Sequence, residues 1–263
     1  TPDRHRANEN TTAETPMWHA RVVDGSRYAA VLFDLDGVIT PTADVHRRAW
    51  AEMFDGFLET LNGQARFTDD DYLRYVDGKP RLDGVRSFLK SRGIDLPEGD
   101  PSDPPSARTV HGLGTAKNDR FNTILARDGV EPYPGSVALL DELAPTACSL
   151  AIVSSSRNAR GVLSAAGLMD RFEVVVDGNV GADAHLAGKP APDFFLHAAS
   201  LVGAEPRQSV VVEDAVSGVQ AGASGGFGLV VGVDRGAGAT ALATGGADVV
   251  VNDLVELTRE AAS

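Results

Sequence analysis

From Tyr133 onward, short aliphatic runs alternate with helical segments, and that alternation restricts the chain more than any other feature. "SLAIVSSS" reads as a strand, "NARGVLSAAG" as a helix and "FEVVV" as a strand; "APDFFLHAASLVG" then reads as a helix, and "SVVVED", "GLVVGV" and "ADVVV" as strands. Runs that are apolar throughout suit strands covered on both faces, and strand–helix alternation suits a parallel sheet with helices on either side. Upstream, "YAAVLF" at 28–33 is another such run, and it breaks into Asp34 and Asp36. Between it and Tyr133 no segment is strongly strand-like. Trp50, Met53, Phe54, Phe57, Leu58 and Leu61 recur at helical spacing, with Thr42 as the expected N-cap and Asn62-Gly63 as the stop. "GVRSFLKSRG" and "KNDRFNTILARDG" continue the helical pattern on either side of the proline-rich loop "LPEGDPSDPPSA". The expected fold is α/β, a doubly wound parallel sheet with an inserted α-helical cap. Residues 1–27 form a flexible polar extension, 28–42 and 133–263 the core domain, and 43–132 the helical cap.

Composition narrows the function classes. The 263 residues carry a formal net charge of −13, which argues against a broad basic surface for nucleic acid and leaves room for a locally positive pocket. The one cysteine, Cys148, cannot close an intramolecular disulfide, and this suits a reducing compartment. No apolar run reaches the length of a membrane span, and "TPDRHRANENTTAETP" lacks the apolar stretch of a signal peptide. The expectation is a soluble cytoplasmic protein with no membrane partner.

In an open parallel sheet, ligands bind beyond the carboxyl ends of the strands. Those ends carry Asp34 and Asp36, Ser154 to Ser156, and Glu213 and Asp214, while the loop "LAGKPAPDFF" carries Lys189. Taken singly, each is an ordinary turn or cap residue. Together they fit one proposal: carboxylates around Mg²⁺, a hard cation that prefers oxygen, with a serine hydroxyl and a lysine gripping a phosphoryl group. Asp34 would be the nucleophile, and Asp36 would move a proton.

"FDLDGV", "VSSS", "GKPAPDFF" and "VVVEDAVSGVQAG", in that order over about residues 29 to 235, resemble the four motifs of the haloacid dehalogenase (HAD) superfamily of phosphotransferases. The resemblance implies a HAD-like Rossmannoid core with a cap. It implies that Asp34 forms an aspartyl-phosphate, that Asp36 is general acid and base, and that Ser154 and Lys189 bind the phosphoryl oxygens. Mg²⁺ would be held by the Asp34 carboxylate, the Asp36 backbone carbonyl and Asp214, with Glu213 directly or through water. "FDLDGVIT" followed by "TADVHRRAW", with "SSSRN" and "KPAPDFF", is similar to the β-phosphoglucomutase subgroup. That similarity implies that His46 touches Asp36 and a sugar hydroxyl, and that Thr42 is among the substrate-binding residues. It places Arg81, Lys117, Ser156, Arg157 and Asn158 around the sugar and the non-reacting phosphate of a small phosphorylated sugar. Pro41 and Asp77 depart from the pattern, where members of the subgroup often carry an aspartate and a lysine; Lys79 lies two residues beyond Asp77.

The implied reaction is a mutase step from β-glucose 1-phosphate to glucose 6-phosphate by a monomer, and the alternative is a HAD-type phosphatase with the same Asp34 intermediate. A non-catalytic binding protein on this fold would be free to lose Asp34, Asp36 or Lys189, and all three are present. Gly188-Lys189 is followed by proline rather than Ser or Thr, so it is no P-loop. Six scattered histidines and one cysteine offer no zinc site.

Overall fold

The computed structural model describes residues 23–76 and 79–259; most of the expected N-terminal extension, and Asp77, lie outside the described residues. The first strand, β1 (Ala30–Phe33), leads through a tight turn into α1 (Thr42–Leu58), α2 (Asp69–Asp71) with a π-turn at Tyr72–Val76, α3 (Arg81–Ser91) and α4 (Val110–Asp128). The chain then runs through α5 (Pro134–Leu143), β2 (Ser149–Val153), α6 (Ala159–Ala165), β3 (Val174–Val176), α7 (Gly178–Asp183) and α8 (Asp193–Leu201). It closes with β4 (Ser209–Glu213), α9 (Val216–Ser224), β5 (Leu229–Val233), α10 (Ala239–Gly245), β6 (Val249–Val251) and a 3₁₀ turn at Leu254–Leu257.

The six strands among the described residues are all parallel, in the order β3-β2-β1-β4-β5-β6. Successive side chains of a strand point to opposite faces, so β1 divides its residues between two cores. Val31 and Phe33 join Ile152, Val210 and Val212 under Leu139, Leu140, Leu163 and Leu257. Ala30 and Leu32 join Ala151, Val153 and Val211 under Phe195, Ala198 and Ala221. Burial on both faces is why the strands read as continuous apolar runs. The chain order leaves β1 toward β2 on one side and returns to β4 on the other, which opens a crevice beyond the carboxyl end of β1.

The inserted helices have a core of their own, in which Phe54 stacks on Trp50 and Phe67 and meets Phe88. Two linkers join this cap to the sheet domain, and they are bonded to each other: the Tyr133 N–H donates to the Ile39 carbonyl at 2.9 Å.

Two local expectations are corrected. Thr42 is the first residue of α1 rather than its cap; Pro41 stands at the cap position with no side-chain hydrogen bond. The helix ends at Leu58, ahead of Asn62-Gly63, because the Thr60 hydroxyl takes the Phe57 carbonyl at 2.6 Å and the chain turns. Leu61 continued the apolar spacing because it still packs on the cap core from that turn.

Candidate active site

Beyond β1 the chain makes a turn that brings its carboxylates to the crevice. Ile39 and Thr40 donate their N–H groups back to the Leu35 carbonyl, and Gly37 donates to the Thr40 carbonyl at 2.8 Å. Gly37 has φ +85°, and a Cβ there would lie 2.0 Å from Asp214 Oδ2. Only glycine serves at this position, because the backbone is left-handed and a carboxylate presses against it.

Lys189 lies between Asp34 and Glu213, its ammonium 2.5 Å from Asp34 Oδ1 and 2.5 Å from Glu213 Oε1. All three side chains are nearly enclosed: Glu213 is 2% exposed, Lys189 9% and Asp34 10%. Burial drives Asp34 well above the usual carboxylate range against the pull of Lys189, and Glu213, Asp214 and Asp36 add to the rise. Burial alone would depress Lys189, but Asp34 and Glu213 carry it above its ordinary value. The second oxygen of Glu213 accepts from the Ala215 N–H at 2.8 Å, so both its oxygens already have protein donors. Asp214 is pushed up to about 7 by burial and then by Glu213.

The oxygen-only donors and the excess of negative charge fit a hard dication. Among the described residues no cluster of three or more His, Cys, Asp or Glu side chains forms a ready-made cage. Asp214, pressed against the Gly37 backbone, lies beside the peptide that carries the Asp36 carbonyl.

Asp36 is half-buried, and burial raises its carboxyl group while the Thr42 hydroxyl, hydrogen-bonded to Oδ1, opposes the rise. The expected contact with His46 is looser than anticipated: Nε2 is 3.9 Å from Asp36 Oδ1. The closer partner of His46 is Lys117, whose Nζ lies 2.6 Å from Nδ1. When charged, Lys117 has only donors; Nδ1 must then accept, which puts the ring proton on Nε2, facing Asp36. Burial, then Lys117 and Arg81, hold His46 well below its ordinary value, so the ring is neutral. Phe121 stacks on His46 at 4.3 Å, and Lys117 sits over the Trp50 and Phe121 rings. Lys117 is itself brought down to about 7 by burial.

A second positive region bridges cap and core. Arg81 Nη1 donates to Asn118 Oδ1 at 2.8 Å, and Asn158 Nδ2 donates to the same oxygen at 2.8 Å. Among the described residues, Arg81 Nε is buried with no hydrogen-bond partner, and burial and then Arg157 lower the guanidinium from its ordinary value. Ser154, at the end of β2, accepts from the Ser156 N–H at 3.0 Å, while Ser156 accepts from the Asn158 N–H at 3.1 Å. The structure thus joins Asp34, Lys189 and Glu213 in one group, Asp36, Thr42, His46 and Lys117 in a second, and Arg81 and Asn158 in a third. The hydroxyls of Ser154 and Ser156 shape the loop after β2. Lys79 donates to Ser87 at 2.7 Å and joins none of these groups. Sequence reasoning missed Asn118, whose one signal was its place beside Lys117 on α4.

Residues 28–226 match the family model of haloacid dehalogenase-like hydrolases, and the chain belongs to that family. It is an enzyme of the phosphomutase or phosphatase type. It is 50% identical over 238 residues to a β-phosphoglucomutase of Mycobacterium tuberculosis, covering 87% of this chain and 90% of the relative. It is 31% identical over 204 residues to the fructose-1-phosphate phosphatase YqaB of Escherichia coli, covering 78% of this chain and 96% of the relative. Among solved structures, β-phosphoglucomutase from Clostridium difficile matches with TM-score 0.68 and 26% identity, over 89% of this chain and 95% of that one. No described helix is long and apolar enough to cross a membrane.

Proposed function

We propose that this enzyme is a Mg²⁺-dependent β-phosphoglucomutase, converting β-glucose 1-phosphate to glucose 6-phosphate through a bisphosphate. The observation that carries the reading is the presence of two separate cationic groups: Lys189, within the acidic cluster beside Asp34, and Arg81, whose buried Nε has no partner among the described residues and which lies near Arg157. Hydrolysis of a monophosphate needs a grip on one phosphoryl group. A mutase must hold two at once.

Asp34 attacks phosphorus and becomes the aspartyl-phosphate, while Asp36 protonates the departing oxygen and later deprotonates the incoming sugar hydroxyl. Lys189 and Ser154 bind the transferring oxygens as charge builds on them. Arg81, Arg157, Asn158 and, behind them, Asn118 hold the non-reacting phosphate and the sugar. His46, with Nε2–H toward Asp36, and Thr42 keep the Asp36 carboxylate oriented from the first turn of the cap. Asp34, the Asp36 carbonyl and Asp214 would hold Mg²⁺, which supplies the positive charge that lets a carboxylate approach a phosphate. The whole set lies in one chain, as activity in a monomer would require.

Phosphorus NMR of the purified protein with Mg²⁺, β-glucose 1-phosphate and a trace of glucose 1,6-bisphosphate tests the proposal. A growing glucose 6-phosphate signal with little free phosphate is expected. Free phosphate as the main product would overturn it in favour of a phosphatase.

A further inference from the structure

The turn that carries Asp36 is held from outside as well as from within. Arg235, in the loop after β5, donates Nε to the Gly37 carbonyl at 3.1 Å and Nη1 to the Asn252 carbonyl at 3.0 Å. Its Nη2 lies 3.5 Å from Asp253 Oδ2, and the guanidinium carbon sits 3.9 Å from the centroid of the Tyr133 ring. Tyr133 is the point where the chain re-enters the core from the cap, and its N–H holds Ile39 in the same turn. One side chain, 21% exposed, therefore ties together the turn after β1, the returning cap linker and the loops after β5 and β6.

None of these bonds reaches a reacting group, so Arg235 has no direct part in the chemistry. The placement on Gly37 is nonetheless specific. Gly37 is pressed against Asp214 on one side and drawn by Arg235 through its carbonyl on the other. The peptide before it carries the Asp36 carbonyl. We propose that Arg235 is a positioning residue for the cation site, fixing the Gly37 backbone so that the Asp36 carbonyl and the Asp214 carboxylate keep the spacing a bound Mg²⁺ requires; this rests on the Mg²⁺ reading above. A planar guanidinium makes three in-plane contacts and one stacked contact together, which an ammonium cannot reproduce.

The test is calorimetric titration of the full chain with Mg²⁺ alone, in the absence of substrate, alongside thermal melting. Arg235→Gln is expected to weaken Mg²⁺ about 10-fold, the scale seen when groups that orient metal ligands are removed. Arg235→Lys, which keeps the charge and at most part of the bonding, should fall between. Arg259→Ala, which removes ion pairs to Asp24 and Glu142, should bind Mg²⁺ as the wild type does. If Arg235 only stabilised the fold, its removal would lower the melting temperature and leave the affinity of the folded protein unchanged. A folded Arg235→Gln with wild-type affinity therefore overturns the inference alone. If Arg235→Gln does not fold, Arg235→Lys decides by the same criterion. A wild type that binds no Mg²⁺ overturns the cation site and the inference with it.

Discussion

Lys189→Met removes the ammonium that Asp34 and Glu213 share and keeps most of the aliphatic stem. Its cost follows from the enclosure of the three groups. Glu213 is 2% exposed and Asp34 10%, so the two carboxylates left behind have little access to water. Breaking a buried ion pair by deleting one partner costs about 3–5 kcal/mol, because a charge remains without compensation. Two acids lose their partner here, but Asp34 can escape by taking a proton, since burial already holds it well above the normal range. The expected loss is therefore about 3–5 kcal/mol rather than twice that. The pH dependence has a definite sign. A carboxyl whose folded pKa lies above its unfolded one contributes stability that is complete below the unfolded value and lost as pH rises through the folded value. The deficit of the variant should be largest near about pH 8 and smaller near about pH 5, where folding favours the protonated acid. Urea unfolding of wild type and variant at the two pH values measures it, and Glu213→Gln added to Lys189→Met should recover part of the loss. A deficit under about 1 kcal/mol at the higher pH, or one of equal size at both, would refute the argument.

Lys117 gives a second pH signature. Its folded value of about 7 lies below the unfolded one of about 10.4, so wild-type stability should rise with pH between them by at most about 1.4 kcal/mol per unit. Lys117→Met should flatten that rise in urea midpoints, and an unchanged slope would mean that Lys117 titrates normally. Gly37→Ala places a methyl group where Asp214 Oδ2 lies and forces alanine to φ +85°. The backbone alone costs about 1–2 kcal/mol, so a lowered melting temperature should accompany a loss of Mg²⁺ affinity. Retention of both would show that the turn yields.

The strands were legible because burial on both faces removes the polar half of each strand pattern. The ordered acids Asp34, Asp36 and Asp214 were legible because they end those strands. The rest depended on contacts that no local pattern encodes. Asn118 meets Asn158 from 40 positions away, and Arg235 meets the Gly37 carbonyl from 198. Thr42 looked like a helix cap because its type and place suit one; in the fold it is already the first helical residue, and its hydroxyl donates to Asp36. His46 looked like a partner of Asp36, and the structure puts Lys117 nearer, because α4 packs along α1 and brings a residue 71 positions away to the ring.

A tenfold change in the ratio of transfer to sugar over transfer to water is about 1.4 kcal/mol. The Asn118–Asn158 contact, which spans cap and core in this conformation, is of that size, as are the bonds at the junction, Thr42 to Asp36 and Tyr133 to Ile39 between the two linkers. Each net hydrogen bond contributes roughly 0.5–1.5 kcal/mol, more where a charge takes part. Pro41 enters at this point. It has no side chain that can hydrogen-bond at the start of α1, so the polar tie between α1 and the turn after β1 rests on the neighbouring Thr42. Under the mutase proposal, one change at the start of α1 is thus of the same energetic order as the choice between sugar and water, and should shift that choice with Asp34, Asp36 and Lys189 unaltered.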